Sequence, residues 1–373
     1  MKEPNYKITP LQIGTLTALA GHALFVGLGT IIIYSSSNQD SWLVAIMGLL
    51  LSIIPIMLIL YVANYKPDKN IFEKNKLLFG TLLGNILNLI MALYFFFLVT
   101  LILWSTNNFV LTQYLSQTPQ LFISLLLIVP AVYAVVKGIE TIARTSEVLL
   151  FVAGVIIIII GLSLFNHTLF YRLKPYLTDG IIPVIKNSFL FISYCFTPLI
   201  ALLVIPKNNV INNKKYNYYF IGGILFNMGL MFFVFTMIVS TVGEHLTQIY
   251  RYPEYYVLRK VNIAEVINNI ENFLSLHWFM AMFTMCVLSL YFVTKYVESI
   301  LKSIKPQNVN KITIGIALIS MVMSGYLFNP AQKSLVFMKN RFPYIVSLVL
   351  FSILFITCIL IMIKKRKVFK AKS

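Results

Sequence analysis

Residues 11–33 read LQIGTLTALAGHALFVGLGTIII, and this stretch decides the fold. It is long enough to cross the hydrocarbon core of a bilayer, which takes about 20 apolar residues. Gly27-Leu28-Gly29-Thr30 interrupts it, and residues 182–205 carry a second interruption, Ser193-Tyr194-Cys195-Phe196-Thr197-Pro198. Glycine lowers the cost of leaving helical backbone angles, and proline removes an amide donor and clashes with the preceding turn. Two membrane helices are therefore predicted to be broken.

The composition extends this interpretation to the whole chain. Of its 373 residues 59% are hydrophobic and 11% are charged, whereas soluble domains carry about a quarter of their residues as charges. A soluble enzyme, a disordered protein and a nucleic-acid-binding protein are disfavoured, although the net charge is +18. Ten apolar blocks are long enough for membrane helices and too long for barrel strands. They are residues 11–33, 42–63, 79–104, 121–137, 147–165, 182–205, 218–241, 273–297, 312–328 and 343–363.

The basic residues orient these spans. Loops and adjoining span ends on one side of the membrane, with both chain ends, hold 21 of the 30 Lys and Arg, against 8 in the loops of the other side, and Lys186 falls inside the sixth span. Because cytoplasmic loops are enriched in Lys and Arg, both termini are predicted to be cytoplasmic, which requires an even number of spans.

Ten spans with both ends on one side fit two five-helix halves of opposite orientation. We predict one all-α polytopic membrane domain over 1–373, with a first repeat at 11–165, an inverted second repeat at 182–363 and a basic cytoplasmic tail at 364–373. In such folds the ends of broken helices near the midplane can hold a carboxylate on free N–H groups and an ammonium on free C=O groups. Close packing of helices at small residues is the alternative explanation for the two interruptions.

Ionisable side chains inside a bilayer are costly and are candidates for function. None of the 12 carboxylates is expected near the centre of a span, and Glu254 and Glu271 are assigned to the outer segment at 242–272, so a proton relay of buried acids is disfavoured. The length of this segment predicts an ordered lid with helices of its own, with a solvated connector as the alternative. His22, near the middle of the first span, is either a switch or a neutral side chain hydrogen-bonded between helices. His277 is expected in an interfacial or solvated position.

The cysteines and the cytoplasmic turn after the fourth span complete the candidates. Cys195, Cys286 and Cys358 lie in apolar segments without CxxC spacing, so no metal site, disulfide or cofactor is expected. In the turn, Glu140 and Arg144 are four residues apart, and Arg144 and Glu147 are three apart. A helical turn would pair these charges, either as a structural ion-pair clasp or as a gate.

A series of short motifs runs along almost the whole chain. They are Ile8-Thr9-Pro10-Leu11-Gln12, Gln39-Asp40-Ser41-Trp42-Leu43, Thr118-Pro119, Lys137-Gly138-Ile139-Glu140-Thr141-Ile142-Ala143-Arg144, Leu173-Lys174-Pro175, Gly180-Ile181-Ile182-Pro183, Tyr252-Pro253 and Ile270-Glu271-Asn272-Phe273. In this order and spacing they resemble the spore germination permeases, the B subunits of nutrient germinant receptors in the amino acid, polyamine and organocation transporter superfamily.

The resemblance implies a non-enzymatic sensor of small nutrients, typically amino acids, in the inner membrane of the spore. Its implied partners are a membrane-embedded A subunit and a C-subunit lipoprotein on the outer leaflet. The ligand pocket implied by the family lies at broken helix 1 with helices 3, 6 and 8. The matching residues here are Gly27, Leu28, Gly29, Thr30, Tyr94, Phe196, Thr197, Pro198, Leu199, Thr284 and Met285.

The chain departs from the family in its acids. Many members carry a glutamate just after the break in helix 6, where this chain has Pro198-Leu199-Ile200, and a charged position in the outer half of helix 3, near Ile102 here. A cationic ligand is therefore not expected. Two other functions stay open: an autonomous amino-acid transporter of the same superfamily, and an ion channel or assembly scaffold without a small-molecule site.

Overall fold

The computed structural model describes residues 7–24, 28–243, 246–247, 250–259, 269–301, 306–328 and 331–370. In these ranges α-helices and short 3-10 segments make up the regular structure, apart from one isolated β-bridge between Ile8 and Val210. The helices are α1 Pro10–His22, α2 Thr30–Ser37, α3 Ser41–Asn64, α4 Ile71–Phe79, α5 Thr81–Gln113, α6 Gln120–Lys137, α7 Ile139–Phe165, α8 Ile182–Cys195, α9 Tyr216–Val242, α10 Pro253–Arg259, α11 Glu271–Ile300, α12 Pro306–Leu327, α13 Ala331–Asn340 and α14 Phe342–Lys370.

The ten predicted spans are confirmed, with the first in two pieces. Within the described residues nine helical segments are long and apolar enough to cross a membrane. The tenth span is the pair α1 and α2, each too short to cross alone. Local chemistry sets the start of α1, because the Thr9 hydroxyl accepts a hydrogen bond from the Gln12 amide at 3.2 Å and the Gln12 side chain accepts one from the Thr9 amide at 2.8 Å.

The predicted break in the sixth span is also present. Helix α8 ends at Cys195, and a 3-10 segment, Thr197–Val204, continues the crossing. Pro198 stands at the start of this segment, where its missing amide donor and its ring prevent the α-helix from continuing.

The third span is longer than predicted. The block 79–104 ends before Ser105, Thr106 and Asn107, yet α5 runs through them to Gln113. These polar side chains are buried against neighbouring helices, and the Asn107 amide donates to the Ser124 hydroxyl of α6 at 2.8 Å. A polar residue that finds a partner inside the bundle, as Asn107 does, does not end a membrane helix.

Contacts between loops define the two ends of the bundle. At the terminal face, named for the described chain ends near Lys7 and Lys370, the Asn208 amide donates to the Pro67 carbonyl at 2.9 Å and Lys76 donates to the Ser299 carbonyl at 3.2 Å. At the opposite face the Leu177 amide donates to Asp40 at 3.0 Å, and partial burial raises the pKa of that carboxyl. The loops alternate between the two faces as the charge pattern predicts.

The bundle consists of two inverted five-helix repeats. The first crosses from the terminal face with α1, and the second crosses from the opposite face with α8. Each repeat adds one short helix after its second span: α4 at the terminal face and α10 at the opposite face. Helix α10 lies in the segment predicted as a lid. The repeat boundaries 11–165 and 182–363 and the tail 364–373 stay predictions.

Candidate ligand-binding site

A side chain from α11 donates a hydrogen bond to the end of α1, at the break in the first span. Helix α1 ends at His22, and the carbonyl oxygen of Ala23 accepts a hydrogen bond from the indole N–H of Trp278 at 3.2 Å. The last carbonyls of a helix have no partner within the helix. An indole donor placed here therefore stabilises the broken end without requiring water.

A carboxylate reaches the other side of this break. Thr30, the first residue of α2, donates a hydrogen bond from its hydroxyl to Oε1 of Glu254 at 3.0 Å. Both side chains are buried, with Glu254 4% exposed. Glu254 lies on the short helix α10 and not in a span, yet it is buried, because α10 folds inward and packs Tyr255, Val257 and Leu258 against the bundle.

Two histidines stack beside the break. The rings of His22 on α1 and His277 on α11 are parallel within 5°, with their centroids 5.0 Å apart. His22 Nδ1 lies 2.8 Å from the Ala18 carbonyl, so this hydrogen bond is within α1 and not between helices, and the two alternatives for His22 stay predictions. His277 is 2% exposed, so the solvated position expected for it is wrong, and the interfacial alternative stays a prediction.

Aromatic rings surround Glu254. Phe109 of α5 packs edge-to-face against Tyr252, Tyr255 and Trp278, with centroid separations of 4.9, 5.5 and 4.7 Å. These four rings and Glu254 line a cavity of 10 Å³, and a neighbouring cavity of 30 Å³ is lined by Glu254 and His277. Such volumes hold a few waters at most. The site is therefore closed in this conformation.

The pocket residues implied by the resemblance are spread over three places. Leu28, Gly29 and Thr30 are buried at the first break, and Gly27 lies outside the described residues. Tyr94 lines a lateral cavity of 300 Å³ together with Phe97, Phe342 and Val346. No hydrogen-bond partner for its hydroxyl is found among the described residues.

The second break faces α14 and α11. Phe196, Thr197, Pro198 and Leu199 are all buried there, and the Thr197 hydroxyl lies 3.1 Å from the Ser347 hydroxyl of α14. On α11 the Thr284 hydroxyl donates to the Met280 carbonyl of its own helix at 2.9 Å, and Met285 is fully buried. The hydroxyls of Thr197 and Thr284 are thus satisfied within the protein.

The charges after the fourth span pair in part as predicted. Arg144 contacts Glu140 in an ion pair at the surface of α7. Glu147 accepts a hydrogen bond from the Gln12 side chain at 2.9 Å and pairs with α1 instead of Arg144. The hydroxyl oxygens of Ser146 on α7 and Thr15 on α1 lie 2.9 Å apart. Side-chain contacts thus join α7 to the first half of the broken helix.

Glu254 is the functional candidate that the sequence interpretation missed. Hydropathy assigned it to an outer loop, since its neighbours include Arg251 and Arg259. The signal for burial was the apolar and aromatic run Tyr252-Pro253-Glu254-Tyr255-Tyr256-Val257-Leu258, which a solvated loop does not need.

Comparison with known proteins places the chain. The family described as spore germination protein matches residues 7–333. The putative spore germination protein YfkT of Bacillus subtilis strain 168 is 24% identical over 359 residues, covering 94% of this chain and 95% of the relative. Spore germination protein XB of Bacillus anthracis is 26% identical over 319 residues, 85% of this chain and 86% of the relative.

Solved structures share the fold at low identity. MhsT in complex with L-phenylalanine superposes with a TM-score of 0.65 at 13% identity, covering 91% of this chain and 87% of that one. A Na⁺-coupled sialic acid symporter in its substrate-bound outward-open state superposes with a TM-score of 0.61 at 13% identity, covering 96% of this chain and 78% of that one. The inverted-repeat transporter fold and the multi-pass membrane location are thereby confirmed, and the chain belongs to the spore germination protein family.

Proposed function

We propose that this protein is the nutrient-sensing membrane subunit of a spore germination receptor and binds a small nutrient, such as an amino acid, at the two helix breaks. The break between α1 and α2 carries the proposal. There Ala23, Thr30 and Glu254 place a carbonyl, a hydroxyl and a carboxylate around one interruption of the helix. No catalytic role is proposed for any residue.

Glu254 suits the ammonium group of an amino acid. Burying a carboxylate is costly unless charge and hydrogen bonds compensate it. The aromatic residues Phe109, Tyr252, Tyr255 and Trp278 line the same cavity as Glu254, and aromatic rings can add cation–π attraction to an ammonium group. The expectation against a cationic group, drawn from the acids missing near Leu199 and Ile102, is replaced by this proposal, because α10 supplies the acid.

Binding requires the site to open. The cavities beside Glu254, 10 and 30 Å³, are smaller than any amino acid, so a nutrient selects a conformation in which α10 or α2 has moved. We propose that partner subunits, an A subunit and a C-subunit lipoprotein, convert this shift into the germination signal. The chain would lie in the spore inner membrane with both termini cytoplasmic.

The proposal is tested by filling the break. Spores that carry this chain and its partner subunits as their sole receptor are exposed to each common L-amino acid in turn. Gly29→Leu is expected to abolish the response while the protein still accumulates. The matched control is Gly222→Leu, because Gly222 is exposed on α9 and a Cβ added there would have no atom within 4 Å, so its response should persist. Equal dose responses of Gly29→Leu and the unmodified chain would contradict a ligand site at this break.

An autonomous amino-acid transporter is the second candidate. The fold shared with MhsT supports it. Uptake of a labelled amino acid by proteoliposomes that contain this chain alone would favour the transporter. Nutrient-dependent germination without such uptake would favour the sensor.

A further inference from the structure

Two lysines line one cavity on the opposite face. Lys186 in the first turns of α8 and Lys339 at the end of α13 line a space of 270 Å³ with Asn340 and Tyr344. None of the described residues that line it is acidic. Partial burial lowers the pKa of Lys339, because removal from water disfavours its charged form.

The start of α8 adds to this positive character. The helix begins at Ile182 with Pro183 next, and both residues line the same cavity. The N-terminus of a helix carries a partial positive charge from its unpaired N–H groups. Two ammonium groups and a helix N-terminus on one cavity select an anion, and a phosphate or carboxylate meets this requirement.

An apolar groove continues from the cavity along the bundle. It has a volume of 540 Å³ and lies between α3, α8 and α14, with Tyr344 shared between cavity and groove. Its walls include Ile54 of α3, Phe189 of α8 and Leu348 of α14. Ile54 and Leu348 are 64% and 66% exposed, so the groove is open to the lipid side of the bundle.

The groove has the length of one membrane leaflet. On α14 it extends from Tyr344 to Phe355, a rise of about 16 Å at 1.5 Å per residue. Half of the bilayer's hydrocarbon core measures about 15 Å. The cavity therefore lies where a headgroup would be, and the groove lies where its acyl chain would run.

We propose that the cavity and groove bind one anionic phospholipid, with its phosphate between Lys186 and Lys339 and an acyl chain along α14. A zwitterionic lipid lacks the net charge that the two lysines select, and free phosphate does not cover the apolar groove. The groove adjoins the second helix break, because the Ser193 hydroxyl donates to the Pro343 carbonyl at 3.1 Å and Thr197 contacts Ser347. The lipid thus contacts α8, which ends at this break, and α14, which packs beside it.

Lipid binding to the full-length purified protein in detergent tests this site. Phosphatidylglycerol and phosphatidylcholine with identical acyl chains are titrated and the bound lipid is counted by native mass spectrometry. A lysine near anionic lipid contributes about fivefold to affinity, so Lys186→Gln with Lys339→Gln should weaken phosphatidylglycerol binding roughly 30-fold. Lys174→Gln removes an exposed lysine from the same face and should leave binding unchanged.

A second pair of variants tests the groove independently of the charge. Leu348→Trp fills the groove and should displace phosphatidylglycerol, whereas Leu126→Trp, at a residue of α6 that is 76% exposed, should not. Equal retention of the two lipids, or unchanged phosphatidylglycerol binding in the double lysine variant, would overturn the proposal. So would inorganic phosphate that competes as well as the intact lipid, since the site would then take a free anion.

Discussion

The hydroxyl of Thr30 donates a hydrogen bond to the carboxylate of Glu254 at 3.0 Å, across 224 residues of sequence. Thr30 is the first residue of α2, the second half of a broken membrane helix. Glu254 belongs to α10, a short helix at the opposite face. This contact fixes the position of α10 relative to the break. In the opening proposed above, this hydrogen bond would be lost or replaced by a ligand group.

Removing the hydroxyl should destabilise the closed protein. A hydrogen bond to a charged group contributes about 1.5 to 3 kcal/mol, so Thr30→Val should lower the free energy of unfolding by that amount. Thr30→Ser keeps the hydroxyl and should stay close to the unmodified chain. Thermal unfolding in detergent measures both variants. Equal melting temperatures for Val and Ser at this position would show that the hydroxyl contributes nothing.

Neutralising Glu254 should weaken the nutrient response. If its carboxylate holds the ligand's ammonium group, Glu254→Gln loses a charge-assisted hydrogen bond, and the nutrient concentration for half-maximal germination should rise about 10- to 100-fold. Glu271→Gln makes the same change at another buried acid, in the first turn of α11, and should respond as the unmodified chain does. An equal loss in both variants would indicate a general effect on folding and contradict a specific role of Glu254.

Part of this site could be predicted from sequence because its cause is local. Pro198 and the glycines around Leu28 change backbone preference wherever they stand, so the two breaks followed from residue chemistry. Glu254 and His277 could not be placed in this way. Their burial depends on where α10 and the first turns of α11 pack, which is a long-range property that hydropathy along the chain does not encode.

The same distinction applies to the charges at the terminal face. The pair Glu140 and Arg144 is local and was predicted from their spacing along one helix. The Gln12–Glu147 hydrogen bond spans 135 residues and depends on how α1 meets α7.

Lys74 should make stability depend on pH. Its ammonium donates to the Val62 and Ala63 carbonyls at the end of α3, at 2.9 and 3.2 Å, and burial lowers its pKa from 10.5 to about 8. Between these values the unfolded chain holds a proton that the folded chain has released. Stability contributed by this residue therefore rises with pH, by at most about 1.4 kcal/mol per pH unit.

Thermal unfolding between pH 8 and 9.5 checks this effect. Lys74→Met should lose the rise that the unmodified chain shows. Lys69→Met removes a lysine from the adjacent loop and controls for the loss of charge. A pH dependence that survives in Lys74→Met must come from other groups.

Two neighbouring glycines of α9 should respond to the same substitution in opposite ways. A Cβ at Gly223 would lie 2.4 Å from the Gly14 carbonyl oxygen of α1, so Gly223→Ala must push the two helices apart. Such overpacking costs about 1 to 3 kcal/mol. At Gly222 no atom lies within 4 Å of the added carbon. There alanine should stabilise the helix by up to about 1 kcal/mol, since glycine is a poor helix former.

The comparison also tests the position of the broken helix. Gly14 belongs to α1, so pushing α1 away from α9 also moves the end of α1 at His22. The hydrogen bond from Trp278 to the Ala23 carbonyl lies directly after that end. Gly223→Ala should therefore lower both the melting temperature and the nutrient response, whereas Gly222→Ala should keep the response and melt at the same or a higher temperature. If the two variants behave alike, α1 and α9 do not approach each other at Gly14 as closely as the structure has them.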